Sequence, residues 1–160
     1  IGRTHQVATI QFDRIMPERF GLTCINEHGE KEPIIMIHAA IAGSLERFTA
    51  VLIEHLGGAF PLRFAPIQLA IIPVADAHHE YAHNVAQQLK ASGFRLAIYD
   101  ENDSMGKKIR KAKQQKLPYF LVIGDKEVES QTVTLESRDK EENEVVSLEA
   151  LIEKLTAENQ

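Results

Sequence analysis

The sequence predicts an α/β protein in two parts: an antiparallel sheet segment with one helix, followed by a mixed, mostly parallel sheet flanked by helices. Two patterns predict this fold. Strand-like alternation dominates residues 8–38, whereas apolar strands and amphipathic helices follow one another from residue 67 to the end. Glycines and prolines in the stretch 57–66 separate the two patterns. We therefore expect two domains, residues 1–62 and 63–160.

The first part begins with strands. Residues 8–13 alternate in polarity, and 22–38 is divided into two strands by the turn residues Asn26 to Gly29, so a small antiparallel meander is expected. Ser44 is a suitable N-cap for a helix of about 12 residues with apolar positions at helical spacing. Gly57 then ends this helix.

The second part alternates strands and helices. Four segments have the apolar character of strands: 67–74, 94–99, 118–123 and 132–136. Three segments have apolar residues at helical spacing: 76–92, 104–115 and 147 to the end. A charged turn is expected over 138–144. This alternation indicates a mostly parallel sheet covered by helices.

Composition limits the possible functions. The chain has 160 residues, of which 44% are hydrophobic and 26% charged, as in globular proteins. It has no apolar run of about 18 residues, no signal peptide and no initiator Met, and its one cysteine, Cys24, cannot form an internal disulfide. We expect a cytoplasmic protein cut from a longer chain, without a membrane partner. The net charge of −5 excludes a polycation, so only a local patch could bind nucleic acid.

Arg47 is the most unusual charged residue. It lies in the first turn of the predicted helix, where the positive end of the helix dipole disfavours a cation. A phosphate bound at this helix start would explain the arginine. The alternative is that Arg47 pairs with Glu46 or another nearby carboxylate.

Histidines suggest two metal sites. His38 follows an apolar run, so it is either a hydrogen-bonded core residue or a zinc ligand whose partners lie elsewhere. His79-Glu80-Tyr81-Ala82-His83 matches the zinc peptidase pattern on a predicted helix. The apolar face of that helix includes Ala82 and Val85, so both of its histidines point away from the core. We therefore do not expect a peptidase site.

The helix over 104–115 carries a basic stripe. Between Lys107 and Lys116 there are six basic residues and no acidic one. Met105, Ile109 and Ala112 are predicted to face inward. Three cations of the stripe are predicted to project outward: Lys107, Arg110 and Lys111. Such a stripe binds backbone phosphates, or it is simply a solvated face.

Asn102 and Glu127 lie near the carboxyl ends of predicted strands. Open α/β sheets usually place ligand contacts at that edge. Both side chains can contact the edges of nucleotide bases. Both are also common turn residues, so their position alone leaves the two interpretations open.

Two groups of motifs resemble the threonyl-tRNA synthetase family. The end of its catalytic domain is similar to Gly2-Arg3, Gln6, Thr9-Ile10-Gln11, Met16-Pro17-Glu18-Arg19-Phe20, Met36-Ile37-His38, Gly43-Ser44-Leu45-Glu46-Arg47-Phe48 and Gly57-Gly58-Ala59-Phe60-Pro61. Its anticodon-binding domain is similar to Ala65-Pro66-Ile67-Gln68, Gly106-Lys107-Lys108-Ile109-Arg110, Pro118-Tyr119 and Val122-Ile123-Gly124-Asp125-Lys126-Glu127-Val128. The resemblance covers essentially the whole chain. It implies a class II motif 3 helix in the first part and a five-stranded sheet in the second.

The resemblance implies a nucleotide site in the first part. Arg47 matches the catalytic arginine of motif 3, which contacts the triphosphate of ATP. Three further residues match positions that line the adenylate pocket: Gln6, Thr9 and Ser44. ATP, with magnesium, would be a substrate.

The resemblance also implies an amino-acid site. Gln11 matches a position near bound threonine, and His38 matches one of three zinc ligands, the others being outside this chain. Zinc in this family holds the amino and hydroxyl groups of threonine, so valine, which lacks the hydroxyl, is rejected. The usual arginine after the zinc histidine is replaced by Ala39.

In the second part the resemblance implies contacts with tRNA. Asn102 and Glu127 match anticodon-contacting positions, and the stripe of Lys107, Arg110 and Lys111 would bind tRNA phosphates. Glu136 stands where an anticodon-reading arginine is usual. Arg138, two residues later on the same strand face, is a candidate substitute.

These matches imply that the parent protein activates threonine with ATP and transfers it to threonine tRNA. We expect a homodimeric parent whose main interface lies outside this chain. The fragment alone is expected to be inactive, because class II motifs 1 and 2 are missing. The alternative is a non-catalytic tRNA-binding or synthetase-accessory module. Prolyl-, glycyl- and histidyl-tRNA synthetases share the second domain but lack the zinc histidine.

Overall fold

The computed structural model describes residues 2–140 and 142–159, and the chain forms two compact units, Ile1–Gly57 and Gly58–Gln160. Residues 58–62 therefore cluster with the second unit, to whose core Leu62 contributes. The domain division at residues 62 and 63 stays a prediction. Within the described ranges, no helix is both long and apolar enough to span a membrane.

The first unit contains four strands and two helices. In chain order these are β1 (Thr9–Asp13), α1 (Ile15–Arg19), β2 (Thr23–Ile25), β3 (Lys31–Pro33), β4 (Met36–Ala40) and α2 (Leu45–Leu56). β1 pairs antiparallel with β4, and β2 pairs antiparallel with β3, so there are two small sheets. The predicted single meander is wrong, because helix α1 separates β1 from β2 in the chain.

Helix α2 has the predicted limits. Ser44 is the N-cap, and its Oγ accepts a hydrogen bond from the Arg47 N–H at 3.2 Å. Gly57 ends the helix in the left-handed conformation, with φ of 57°, which glycine adopts without a steric penalty. The 12-residue helix and both of its terminal signals are therefore confirmed.

The second unit alternates strands and helices as predicted. Its elements are a 3-10 turn (Leu62–Phe64), β5 (Leu69–Pro73), a second 3-10 turn (Asp76–His78), α3 (His79–Ala91), β6 (Leu96–Ile98), α4 (Met105–Gln114), β7 (Tyr119–Ile123), α5 (Asp125–Ser130), β8 (Thr132–Ser137), β9 (Glu144–Ser147) and α6 (Leu148–Glu158). The periodicity did not predict α5 or β9. Strand β9 begins at the end of the expected charged turn, of which Glu141 lies outside the described residues.

The sheet of the second unit has five strands in the order β6-β5-β7-β8-β9 and is mixed, as expected. β5 lies parallel to both β6 and β7, whereas the pairs β7–β8 and β8–β9 are antiparallel. The change of direction follows from connection length. Only α5, a helix of six residues, joins β7 to β8, and a parallel crossover needs a dozen residues or more.

Helices cover both faces of this sheet. Alternate strand residues such as Ile71 and Leu121 pack on one face against α3 and α6. Their neighbours Ile72 and Phe120 pack on the opposite face against Ala112 of α4. The two apolar layers hold β5 and β7 in place and so position the loops that follow them, which contain polar residues such as His78 and Asp125.

The first unit has no comparable core. Among its described residues only Pro17 is buried, and large apolar side chains of β1 such as Ile10 and Phe12 remain exposed. These two side chains alternate along β1 with the polar Thr9, Gln11 and Asp13. Because successive strand residues point to opposite faces, β1 has one polar face and one apolar face.

Candidate functional site

A polar cleft of about 390 Å³ lies in the first unit. It is lined by Gln6, Thr9, Gln11, His38, Ala39, Ala40, Gly43, Ser44 and Arg47. The structure thus brings together all the residues that the sequence suggested for nucleotide, amino acid and metal.

Strand register builds the floor of the cleft. Gln11 lies directly opposite His38, and Thr9 lies opposite Ala40, so these side chains share one face of the β1–β4 pair. Gln6 donates a hydrogen bond to the Thr9 hydroxyl at 2.8 Å. The polar face of the two strands therefore supplies a row of amide, hydroxyl and imidazole groups.

The start of α2 forms the other side of the cleft. Gly43, with φ of 65°, leads into the helix, and a Cβ at this position would lie 3.6 Å from the carbonyl oxygen of Val7. A side chain here would be strained by the positive φ. The glycine thus lets the chain turn from β4 to the Ser44 cap, which places Arg47 at the cleft.

The Arg47 side chain is exposed and, in the part of the chain that the structure describes, forms no ion pair. The alternative, a pair of Arg47 with Glu46 or another nearby carboxylate, is therefore not found among the described residues. The first N–H groups of a helix lack intrahelical partners, and Ser44 satisfies one of them here. A cation beside this helix start can bind an anion such as a phosphate.

His38 is held by Asp13. Its Nε2 lies 3.1 Å from Asp13 Oδ2, and the two side chains are 50% and 20% exposed. The N–H of Met16, then the His38 ring and the N–H of Ile15, lower the pKa of Asp13, so this carboxylate stays charged. His38 is therefore hydrogen-bonded but half exposed, and it is not a core residue.

This arrangement of His38 fits a single metal ligand. Zinc-bound histidines commonly have one ring nitrogen on a carboxylate and the other on the metal. Across residues 2–140 and 142–159, no three potential ligands group together. A zinc ion at His38 would therefore need ligands from outside these residues.

The second candidate surface is the basic stripe on α4, and acidic residues partly neutralise it. Lys107 pairs with Asp103 at 2.7 Å, and Lys111 pairs with Glu101. The hydrogen bond to Glu101 is the main cause that raises the pKa of Lys111, whose Nζ also lies 4.5 Å from the centre of the Tyr99 ring. Charge counting along the helix missed these partners, because both acids precede it.

The inward face of α4 differs from the prediction. Ala112 is buried and Ile109 is half-buried, but Met105 is 40% exposed. Lys108, one turn after Met105, is instead only 4% exposed and donates a hydrogen bond to the carbonyl of Pro73 at 3.2 Å. The Lys108 side chain thus reaches the end of β5, where Pro73 lies.

Glu127 occupies the start of α5. One carboxylate oxygen accepts the N–H of Gly124 at 2.9 Å, and the other accepts the Thr134 hydroxyl at 2.7 Å. Partial burial raises the pKa of Glu127, but these hydrogen bonds outweigh it and hold the pKa below its usual value. The carboxylate is thus charged, fixed in place and still able to accept further hydrogen bonds.

Asn102 is exposed in the loop between β6 and α4. The described residues give its side chain no hydrogen bond, so its amide is available to a ligand. Arg110 is likewise exposed, and none of the ion pairs in the described residues includes it. Of the five residues expected to contact tRNA, these two have no side-chain partner within residues 2–140 and 142–159.

Arg138, the candidate substitute for the arginine expected at Glu136, is held by hydrogen bonds within the second unit. Its guanidinium donates to the carbonyls of Phe60 and Lys116 at 3.0 and 3.1 Å, and to both oxygens of Asp139 at 2.8 and 2.7 Å. These bonds tie two loops of the second unit together. Four of the five guanidinium hydrogens of Arg138 are used in these bonds, which disfavours a contact with a base, and the suggested substitution stays a prediction.

The peptidase-like pattern lies at the start of α3, and the absence of a peptidase site there stays a prediction. Helix α3 buries Ala82 and Val85, and His83 lies away from this core with 51% of its side chain exposed. His79 is only 29% exposed, and among the described residues its buried Nε2 has no hydrogen-bond partner, so the outward orientation predicted for both histidines holds for His83 alone. Each histidine pairs loosely with an aspartate, at 3.7 and 3.6 Å. The His-Glu-Tyr-Ala-His pattern is therefore part of a helix that packs one face on the core and exposes the other.

Comparison with known proteins assigns both units. Residues 68–158, more than half of the chain, match a family described as an anticodon binding domain. The chain belongs to this family of anticodon-binding domains. Residues 1–56, before the anticodon-binding domain, match the core domain of class II tRNA synthetases of types G, H, P, S and T.

Similar proteins extend the match over both units. A threonine–tRNA ligase of Caldanaerobacter subterraneus is 47% identical over 158 residues, which is 99% of this chain and 24% of that protein. One from Clostridium tetani is 44% identical over 99% of this chain and 25% of that protein. The chain thus spans about a quarter of the length of these curated relatives. The resemblance to the threonyl-tRNA synthetase family is confirmed.

A solved structure agrees with this result. The RNA binding domain of threonyl-tRNA synthetase from Cryptosporidium parvum is 35% identical and superposes with a TM-score of 0.89, over 98% of this chain and 40% of that one. The fold of this chain is therefore found in a solved structure.

Two polar residues of the anticodon-binding domain were missed by sequence reasoning. Lys108 was counted as part of the basic run. Its spacing of four residues from the inward-facing Ala112, which puts both on one helix face, was the only signal that it lies inside. His78 lies next to the peptidase-like pattern and is 5% exposed. No pattern signalled it, because its partners are distant in sequence.

Proposed function

We propose that the chain is part of a threonine–tRNA ligase, whose parent activates threonine with ATP and transfers it to threonine tRNA in the cytoplasm. The observation that carries the proposal is the cleft in which Gln11, His38, Ser44 and Arg47 meet. A homodimeric parent, with its main interface outside this chain, belongs to the same proposal. So does the division into domains 1–62 and 63–160.

In the proposed activation step, Arg47 binds the triphosphate of ATP with its magnesium. Its guanidinium has no internal ion pair within the described residues, so binding requires no bond to be broken. Charge on the phosphates grows as the leaving group departs, and a fixed cation at a helix start stabilises that charge. Gln6, Thr9 and Ser44 would orient the nucleotide by hydrogen bonds.

In the proposed amino-acid site, His38 would hold zinc, and Asp13 would orient the imidazole ring. Zinc, when bound, would supply a Lewis acid for the amino and hydroxyl groups of threonine. Gln11, directly opposite His38 across the strands, would contact the same substrate. A substrate without the hydroxyl would leave a polar site unpaired, which disfavours its binding.

In the proposed tRNA site, Asn102 and Glu127 contact anticodon bases, and Lys107, Arg110 and Lys111 contact phosphates. The charged, fixed carboxylate of Glu127 is suited to accept hydrogen bonds from a base. Base contacts specify the sequence, whereas phosphate contacts mainly position the RNA.

The activation step is tested by threonine-dependent exchange of pyrophosphate into ATP, measured on the full-length parent. Arg47→Ala should lower the rate roughly 100-fold or more, while Arg19→Ala, an exposed arginine outside the cleft, should not. The 160-residue chain alone should show no exchange. A parent that binds threonine tRNA without any exchange would instead be an accessory module.

A further inference from the structure

A buried histidine links two loops of the anticodon-binding domain. His78 ends the 3-10 turn that follows β5, and its ring is almost fully enclosed. Its Nδ1 accepts the N–H of Ala75 at 3.1 Å, and its Nε2 lies 2.9 Å from Oδ1 of Asp125, the first residue of α5. The ring therefore connects the loop after β5 to the loop after β7.

The direction of these bonds is fixed by the backbone. The Ala75 N–H can only donate, so the Nδ1 of His78 must carry a lone pair. The ring hydrogen then sits on Nε2 and points at the Asp125 carboxylate. His78 thus donates to Asp125 along a defined line.

Asp125 lies between Gly124 and Glu127, the two residues whose hydrogen bond closes the first turn of α5. Gly124 is the N-cap, and its N–H donates to the Glu127 carboxylate. A helix of six residues has little stability of its own, so contacts at its start determine its placement. The bonds of Asp125 to His78 and of Glu127 to Thr134 are such contacts.

We propose that His78 is a positioning residue for RNA recognition: through Asp125 it fixes the orientation in which Glu127 meets an anticodon base. The inference rests on the proposed role of Glu127. The Asp125 side chain is 90% exposed, so removing this link leaves the apolar core intact. The link is thus suited to setting the position of α5 with little effect on stability.

The test measures base discrimination by the 160-residue chain. Dissociation constants are measured for the anticodon stem-loop of threonine tRNA and for stem-loops with one anticodon base replaced. Their ratio separates base recognition from general attraction, because phosphate contacts affect all stem-loops alike. Asp125→Ala should lower this ratio by about 3- to 10-fold, a part of what one base contact contributes.

Two variants serve as matched controls. Asp125→Asn removes the charge but keeps an oxygen that accepts the Nε2 hydrogen, so the ratio should stay near the original value. Asp76→Ala removes an equally exposed carboxylate from the turn that contains His78, and the ratio should again not change. An equal fall in all three variants would mean that charge alone matters, which overturns the proposal.

A second measurement addresses His78 itself. His78→Asn keeps an acceptor near the Ala75 N–H but cannot reach Asp125, so it should lower the ratio as Asp125→Ala does. The double variant should show no further loss, because both changes remove one link. Fully additive losses would overturn the proposal.

Glu127→Gln distinguishes this inference from the proposed function. If Glu127→Gln lowers the ratio and Asp125→Ala does not, the positioning role is overturned while the anticodon contact stands. If Glu127→Gln also leaves the ratio unchanged, the proposed contact itself fails, and the positioning role fails with it.

Discussion

Removing two acidic residues should strengthen the binding of threonine tRNA. Asp103 and Glu101 hold Lys107 and Lys111, two of the three outward cations of the α4 stripe. Both ion pairs lie at the surface, where such pairs are weak, so in the original chain each lysine divides its time between its acidic partner and a phosphate. The double change Glu101→Gln with Asp103→Asn should release both lysines without removing a single cation.

The size of the effect follows from counterion release. Each lysine that gains a phosphate contact on a single-stranded loop steepens the fall of log affinity with log salt by about 0.7. Two lysines add at most about 1.4, so between 50 and 200 mM salt the variant should lose up to roughly 7-fold more affinity than the original chain. At low salt it should bind more tightly.

The assay is fluorescence anisotropy of a labelled anticodon stem-loop over a salt series. The matched control is Glu149→Gln with Glu153→Gln, which changes the net charge equally on α6, across the sheet from α4. The control should leave the salt slope unchanged. An equal gain in both double variants would show that only net charge matters, and an unchanged slope would show that the stripe is merely a solvated face.

Three further predictions concern stability. Tyr119 donates a hydrogen bond to Glu158, and burial raises the pKa of the tyrosine hydroxyl. The unfolded chain therefore loses this proton at a lower pH than the folded chain does, so the free energy of unfolding should fall as the pH rises above about 10. Tyr119→Phe should flatten that fall in urea titrations, and an identical slope would contradict it. Ser44→Ala should destabilise the start of α2 by about 1 kcal/mol, because it removes the N-cap hydrogen bond. The amide hydrogen of Arg47 should then exchange roughly fivefold faster, and an unchanged exchange rate would argue against the cap. The fully buried Gln68 side chain makes three hydrogen bonds. Gln68→Leu should therefore lower the free energy of unfolding, measured in urea, by about 3 kcal/mol or more, whereas a loss below about 1 kcal/mol would contradict that reasoning.

The sequence was informative where local chemistry decides the structure. Ser44 and Gly57 marked the ends of α2, because capping and the left-handed conformation depend on single residues. The alternation of apolar strands and helices from residue 67 likewise predicted the sheet of the second unit. Arg47 stood out because its charge conflicts with its place in a helix.

The sequence was uninformative where distant residues decide. Strand β1 pairs with β4 across more than twenty residues, and no local pattern distinguishes this from a meander. The partners of Lys107 and Lys111 precede the helix, and Lys108 is inside because its stem reaches β5. His78 and Asp125 are 47 residues apart, so only the folded sheet brings them together.

The apolar core has a practical consequence for interpreting variants. The two clusters of buried apolar side chains contain only residues from Leu62 onward. Heat capacity and enthalpy of unfolding scale with the apolar surface removed from water, so a calorimetric transition of this chain should report the anticodon-binding domain. Changes in the cleft, such as Arg47→Ala, should leave that transition in place. That transition does not report on the first unit, so the folding of the cleft in such variants is followed by a local measurement, such as amide hydrogen exchange in α2.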